Sequence, residues 1–144
     1  MNISEHFDHQ SKKQNKEHFR NLIQIALADE IIEPEESEML HRFGKKMGFT
    51  NEEIDALISS SSKDSFNPPY ELNRRFEQVY EVVHMALSDD KIDDAEIQLA
   101  KVFAIKSGFA ETEIPVLMNI LINGIKLGKD EEDLFDIYRK LRIS

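Results

Sequence analysis

Residues 26–58 recur, without a gap, as residues 86–118. Ala26-Leu27-Ala28-Asp29-Glu30-Ile31-Ile32-Glu33-Pro34-Glu35-Glu36 aligns on Ala86-Leu87-Ser88-Asp89-Asp90-Lys91-Ile92-Asp93-Asp94-Ala95-Glu96. The match continues through Phe43/Phe103, Lys46/Lys106, Gly48/Gly108, Phe49/Phe109, Glu53/Glu113, Ile54/Ile114 and Leu57/Leu117, giving twelve identities over thirty-three pairs. A period of this length marks one supersecondary unit used twice. The fold must therefore accommodate two copies of the same local structure.

The repeated unit is helical. Apolar residues recur at i, i+3, i+4 and i+7 almost throughout, and no segment alternates as a strand would. A first helix is predicted from Glu17 to Asp29, with Phe19, Leu22, Ile23, Ala26 and Leu27 facing inward. Pro34 suits the first position of a second helix, where its missing N–H costs nothing. Met39, Leu40, Phe43 and Met47 form that helix's inner stripe, and Gly48 ends it. Thr50-Asn51-Glu52-Glu53 reads as a capping box for a third helix carrying Ile54, Leu57 and Ile58. Serines and paired prolines at 59–69 mark a linker. A fourth helix is predicted over 70–88, with Leu72, Phe76, Val79, Val83 and Ala86 inward. A fifth ends at Gly108, and a sixth covers 112–127, with Pro115 tolerated in its first turn. Apolar nearly all round, the sixth is expected to be the buried centre of a bundle. Asp130 caps a last helix over 130–142, carrying Leu134, Ile137, Tyr138 and Leu141. The expected fold is all-α. About seven helices form two three-helix repeats (17–58 and 70–127) related by pseudo-two-fold symmetry, plus the terminal helix. Because about sixty residues is marginal for an independent core, residues 17–144 are expected to form a single domain, behind a polar tail at 1–16.

Charge narrows the function. Residues 29–38 hold six acids and no base, and residues 89–96 hold five acids and Lys91. Those two turns carry the whole net charge of −10. Such fields repel phosphate backbones and argue against nucleic acid, while favouring cations or a basic protein surface. The absence of cysteine excludes disulfides and thiolate metal sites. With no apolar signal segment at the amino terminus and no apolar run long enough to span a bilayer, no membrane insertion and a cytoplasmic location are expected.

Each copy places an Asp at a helix end (Asp29, Asp89), an Ile three residues on, and a Glu in the next helix's first turn (Glu36, Glu96). Acids at a helix start are accounted for by capping and by the dipole, which covers Glu33, Glu36, Asp93 and Glu96. Asp29 and Asp89 face the unfavourable end of a dipole, so a cap across the turn, a cation or a basic partner must compensate. Asp89-x-x-Ile92-Asp93-x-x-Glu96 matches the second half of a calcium loop. Its first half would put oxygen ligands at Met85 and Leu87, which excludes an EF-hand. Glu38-x-x-His41 and Glu81-x-x-His84 have the carboxylate–histidine spacing of di-iron bundles, but fall at non-equivalent places in the repeat. His6, Asp8 and His9 read as a solvated tail, and His18 as a helix-flank residue. No nucleophile–base–orienter set can be assembled, so no enzyme is expected.

The pairing of Ala-Leu-(Ala/Ser)-Asp-x-x-Ile-x-x-x-Glu with a Gly-Phe turn, present in both halves over about Phe19 to Leu141, resembles the TerB-like family, named for tellurite resistance protein B. That resemblance implies a bacterial all-helical domain of two three-helix repeats, associated with stress response, whose acids bind metal ions or form an interaction surface. Many members carry Gly where Glu30 and Asp90 stand here. The implied ligands of a divalent cation of unknown identity are Asp29, Glu36, Asp89 and Glu96, joined by Glu33 and Asp93. Two functions follow as expectations: a non-enzymatic module whose duplicated acidic turns bind divalent ions, or an interaction module that sets the same acids against a basic partner.

Overall fold

The computed structural model describes residues 16–28, 38–61, 68–88 and 94–143. Among these, every regular element is a helix: α1 over 16–28, α2 Glu38–Lys46, α3 Asn51–Ser60, α4 Leu72–Ala86, α5 Asp94–Lys106, α6 Ile114–Lys126 and α7 Glu131–Ile143, with a 3₁₀ turn at Glu111–Glu113 before α6. The chain divides into two compact units, Met1–Phe66 and Asn67–Ser144. No described helix is long and apolar enough to cross a membrane.

In the first unit the expected stripes are the buried ones: Phe19, Leu22, Ile23, Ala26 and Leu27 on α1, and Met39, Leu40 and Phe43 on α2. Gly44 allows close packing, because a Cβ there would lie 2.6 Å from Ile54 of α3 and 2.9 Å from the Phe19 ring. A helical glycine costs about 1 kcal/mol relative to alanine, and this approach is what it permits. Phe49 leaves the turn after α2 and stacks on Phe19, with ring centroids 5.6 Å apart.

In the second unit α4 packs against α5, α6 and α7. Phe76 lies 5.6 Å from the Tyr138 ring and 5.1 Å from Phe135, while Phe109 meets Tyr138 edge-on at 5.7 Å. Gly124 brings α7 close, since a Cβ there would fall 2.1 Å from Leu134.

The turns after α2 and α5 are built alike. Gly48 and Gly108 have φ of 96° and 108°, a region that disfavours residues with a Cβ. The N–H groups of Phe49 and Phe109 donate to the carbonyls of Gly44 (2.9 Å) and Ala104 (3.1 Å). Those of Gly48 and Gly108 donate to Lys45 and Ile105, both at 3.0 Å. These paired bonds are the Schellman closure, which satisfies carbonyls that a helix end otherwise leaves bare. The capping box at Thr50 is complete: its N–H donates to Glu53 Oε1 (2.9 Å), and the Glu53 N–H donates to Thr50 Oγ1 (3.2 Å). At the second copy Ala110 has no side-chain acceptor. Only half of the box remains there, with the Ala110 N–H donating to Glu113 Oε1 at 3.0 Å. Asp130 caps α7 as expected, accepting from the Asp133 N–H at 3.0 Å.

Two expectations are corrected. The sixth helix is not buried all round: α6 buries Ile114, Leu117, Met118, Leu121 and Gly124 and leaves Val116, Asn119 and Asn123 exposed. The two asparagines, four apart on that outer face, are joined by a 2.6 Å bond from Asn123 Nδ2 to Asn119 Oδ1. Continuous burial belongs instead to α1, over 22–27. His18 is no flank residue but is 5% exposed. Its spacing to Leu22 and Ile25 (i, i+4, i+7) puts it on their stripe.

Candidate acidic turns and their surroundings

Of the six acids expected to hold a metal, Asp29, Glu33, Glu36, Asp89 and Asp93 lie outside the described residues, as do His6, Asp8 and His9. Glu96 is described. It sits in the first turn of α5 and is 1% exposed, while Asp94 and Ala95 beside it face solvent. A carboxylate taken from water is retained only where N–H groups or a cation meet its charge. Among the described residues no group of three or more His, Asp or Glu is arranged to hold an ion.

The two Glu-x-x-His pairs do not build a centre. His41 Nε2 lies 2.8 Å from Asp55 Oδ1 of α3, and Glu38 approaches Arg42 at 4.0 Å. His84 is exposed beside the Tyr80 ring, at 5.7 Å between centroids. Burial pushes the His18 pKa down to about 4.

A third acidic cluster went unrecognised in the sequence. Partial burial, followed by the charges of Glu77 and Glu131, raises the pKa of Glu81 on α4 to about 7. Glu131, at the start of α7, is raised by burial, then by Glu77, Glu132 and Asp130. The Tyr80 hydroxyl is raised by burial, then by Asp130, Glu131 and Glu81. Half of this cluster was legible, because Glu77 and Glu81 are a like-charged i, i+4 pair. The other half arrives with α7, which packs against α4.

Glu113 shows how one repeat position acquires additional partners. Beyond its capping bond, its Oε2 accepts from the Tyr138 hydroxyl at 2.9 Å and lies 3.6 Å from Arg142 Nε. Burial, then that hydrogen bond and the negative charge of Glu113, push the Tyr138 pKa up to about 12, opposed by Arg142.

Comparison of the chain with protein-family models, curated proteins and solved structures gives no match.

Proposed function

We propose that the protein is a non-enzymatic, TerB-like helical module whose duplicated acidic turns, Asp29–Glu36 and Asp89–Glu96, bind divalent cations. The observation that carries this proposal is the burial of Glu96, the last acid of a motif kept in register in both copies. Its counterpart in the sequence is Glu36, and each copy of the motif pairs that Glu with an Asp seven residues before it, Asp29 or Asp89. Two or three carboxylates with water complete an open site for a hard cation.

The test is calorimetric titration of metal-free protein with calcium, magnesium, manganese and zinc, repeated on Asp29→Asn/Asp89→Asn. Saturable binding at or below about 100 μM, worth roughly 5.5 kcal/mol, and its loss in the double variant are expected. Weak binding that salt abolishes equally in both proteins would refute ion specificity.

The cluster of Glu77, Glu81 and Glu131 favours a second reading, an interaction module for a basic partner. Burial, and after it the charges of Glu77 and Glu131, lift the Glu81 carboxyl to about 7, and an incoming cationic side chain would offset the charge contribution. On that reading a lysine-rich peptide binds in a salt-sensitive way and divalent ions act only by screening.

A further inference from the structure

In the second unit a small cavity of about 130 Å³ is lined by Tyr70, Leu72, Arg75, Gly108, Phe109 and Arg142. Two guanidinium groups on one small cavity are unexpected in a chain of net charge −10, and the two are held in different ways. Arg75 is fixed by the backbone before its own helix: Nε donates to the Pro69 carbonyl at 2.7 Å and Nη2 to the Tyr70 carbonyl at 3.0 Å. Those bonds use one edge of the fork and leave Nη1 without a hydrogen bond among the described residues. Nη1 lies against the turn at Gly108, 2.9 Å from where a Cβ would stand. The missing side chain is what lets the charge rest there. Arg142 comes from α7. Its Nε lies 3.6 Å from Glu113 Oε2, and its guanidinium sits 5.9 Å from the Tyr138 ring centroid. The Nη groups of Arg142 make no hydrogen bond among the described residues.

We propose that this cavity is a binding site for a small tetrahedral oxyanion, a phosphate or phosphate monoester, held between Arg75 and Arg142. Its volume equals about four waters' share of the liquid, enough for one such anion. On Arg75 the two carbonyls take the Nε–Nη2 edge, and Nη1 with the second Nη2 hydrogen remains for an anion. Donors from two separate guanidinium groups suit an anion whose oxygens point in several directions. One acid, Glu113, stands beside Arg142, and Arg75 keeps its charge uncompensated among the described residues. The equivalent turn of the first unit has nothing within 4 Å of a Cβ at Gly48. The site therefore belongs to the second unit and is independent of the duplicated acids.

The experiment is an amide-resolved NMR titration of the full chain with inorganic phosphate at constant ionic strength, with acetate in parallel. Saturable shifts at Tyr70, Gly108 and Phe109 are expected with phosphate, with acetate at least tenfold weaker. Arg142→Gln should weaken phosphate at least tenfold, and Arg142→Lys should fall between, since it keeps the charge and loses the fork. Unchanged Phe76 and Val79 resonances establish that each variant is folded. Shifts that never saturate, or an affinity for phosphate that Arg142→Gln leaves intact, would overturn the proposal.

Discussion

Acidification to pH 5 should destabilise the protein through His18 in particular, and the size of the effect follows from its burial. The folded-state pKa is about 4 against an ordinary 6.5. Between those values the unfolded chain binds a proton that the folded chain refuses, so stability falls as pH falls through this window. At 1.36 kcal/mol per pKa unit the full loss is about 3.4 kcal/mol, reached below pH 4. At pH 7 the loss is about 0.2 kcal/mol and at pH 5 about 2 kcal/mol, so roughly 1.8 kcal/mol of stability disappears between them. Glu81 works in the opposite sense. Its folded pKa is raised to about 7 from 4.5, so the folded chain binds the extra proton and gains stability as pH falls. A bare stability–pH curve therefore mixes two slopes of opposite sign. The clean measurement is the difference between the natural chain and His18→Gln, by urea unfolding at pH 7, 6 and 5, since Glu81 contributes equally to both. That difference should shift by about 1.8 kcal/mol in favour of the variant. With m-values of about 1–3 kcal/mol/M it appears as a midpoint change of roughly 0.6–1.8 M. A difference that stays constant within about 0.5 kcal/mol across that range, well below the expected linkage, would refute the claim that His18 is kept neutral.

Glu81→Gln should stabilise the protein above pH 7, where the natural carboxyl must ionise among Glu77 and Glu131. The ceiling from the shift is about 3.4 kcal/mol, and partial exposure reduces it to roughly 1–2 kcal/mol. Thermal unfolding at pH 8 and pH 4 checks this, with the gain vanishing at pH 4 where both proteins are neutral at this position. Gly124→Ala should cost about 1–3 kcal/mol by overpacking, because its Cβ would meet Leu134 at 2.1 Å. If the clash is the cause, Gly124→Ala and Leu134→Ala should cost less together than the sum of their separate costs, as a double-mutant cycle by urea unfolding of all three variants would report.

The helices were legible because their apolar stripes, glycine stops and caps agree with one another. Thr50 with Glu53, Gly48, Gly108 and Asp130 each behave as their residue types require. The errors came where periodicity was read without its exceptions. α6 is apolar enough to pass for a central helix, yet Asn119 and Asn123, four apart, already marked its outer face. His18 reads as a helix-flank residue, although its spacing from Leu22 places it on the α1 stripe. The arginine cavity joins residues 70–75, 108–109 and 142, and no local pattern announces a site assembled by three distant segments. The candidate acids were legible as a motif, and Glu96 is buried in the first turn of α5.

Identity between the two copies does not carry identity of role. Glu53 and Glu113 are the same residue at the same step, and each accepts a bond from the N–H three residues before it. Glu113 also receives the Tyr138 hydroxyl and faces Arg142, because α7 follows the second copy. Its capping partner has meanwhile changed from Thr50 to Ala110, which cannot return the bond. The local turn is conserved by its own hydrogen bonds, while the side chains on it are recruited by whatever packs nearby. The same logic applies to Asp29 and Asp89. If the acidic turns bind ions, single Asp→Asn changes should not be interchangeable: Lys91 stands in the second turn where Ile31 stands in the first, and its positive charge opposes a cation there. Asp29→Asn should therefore remove the tighter of two binding steps and Asp89→Asn the weaker, and equal losses from the two variants would show that the flanking charge does not set affinity.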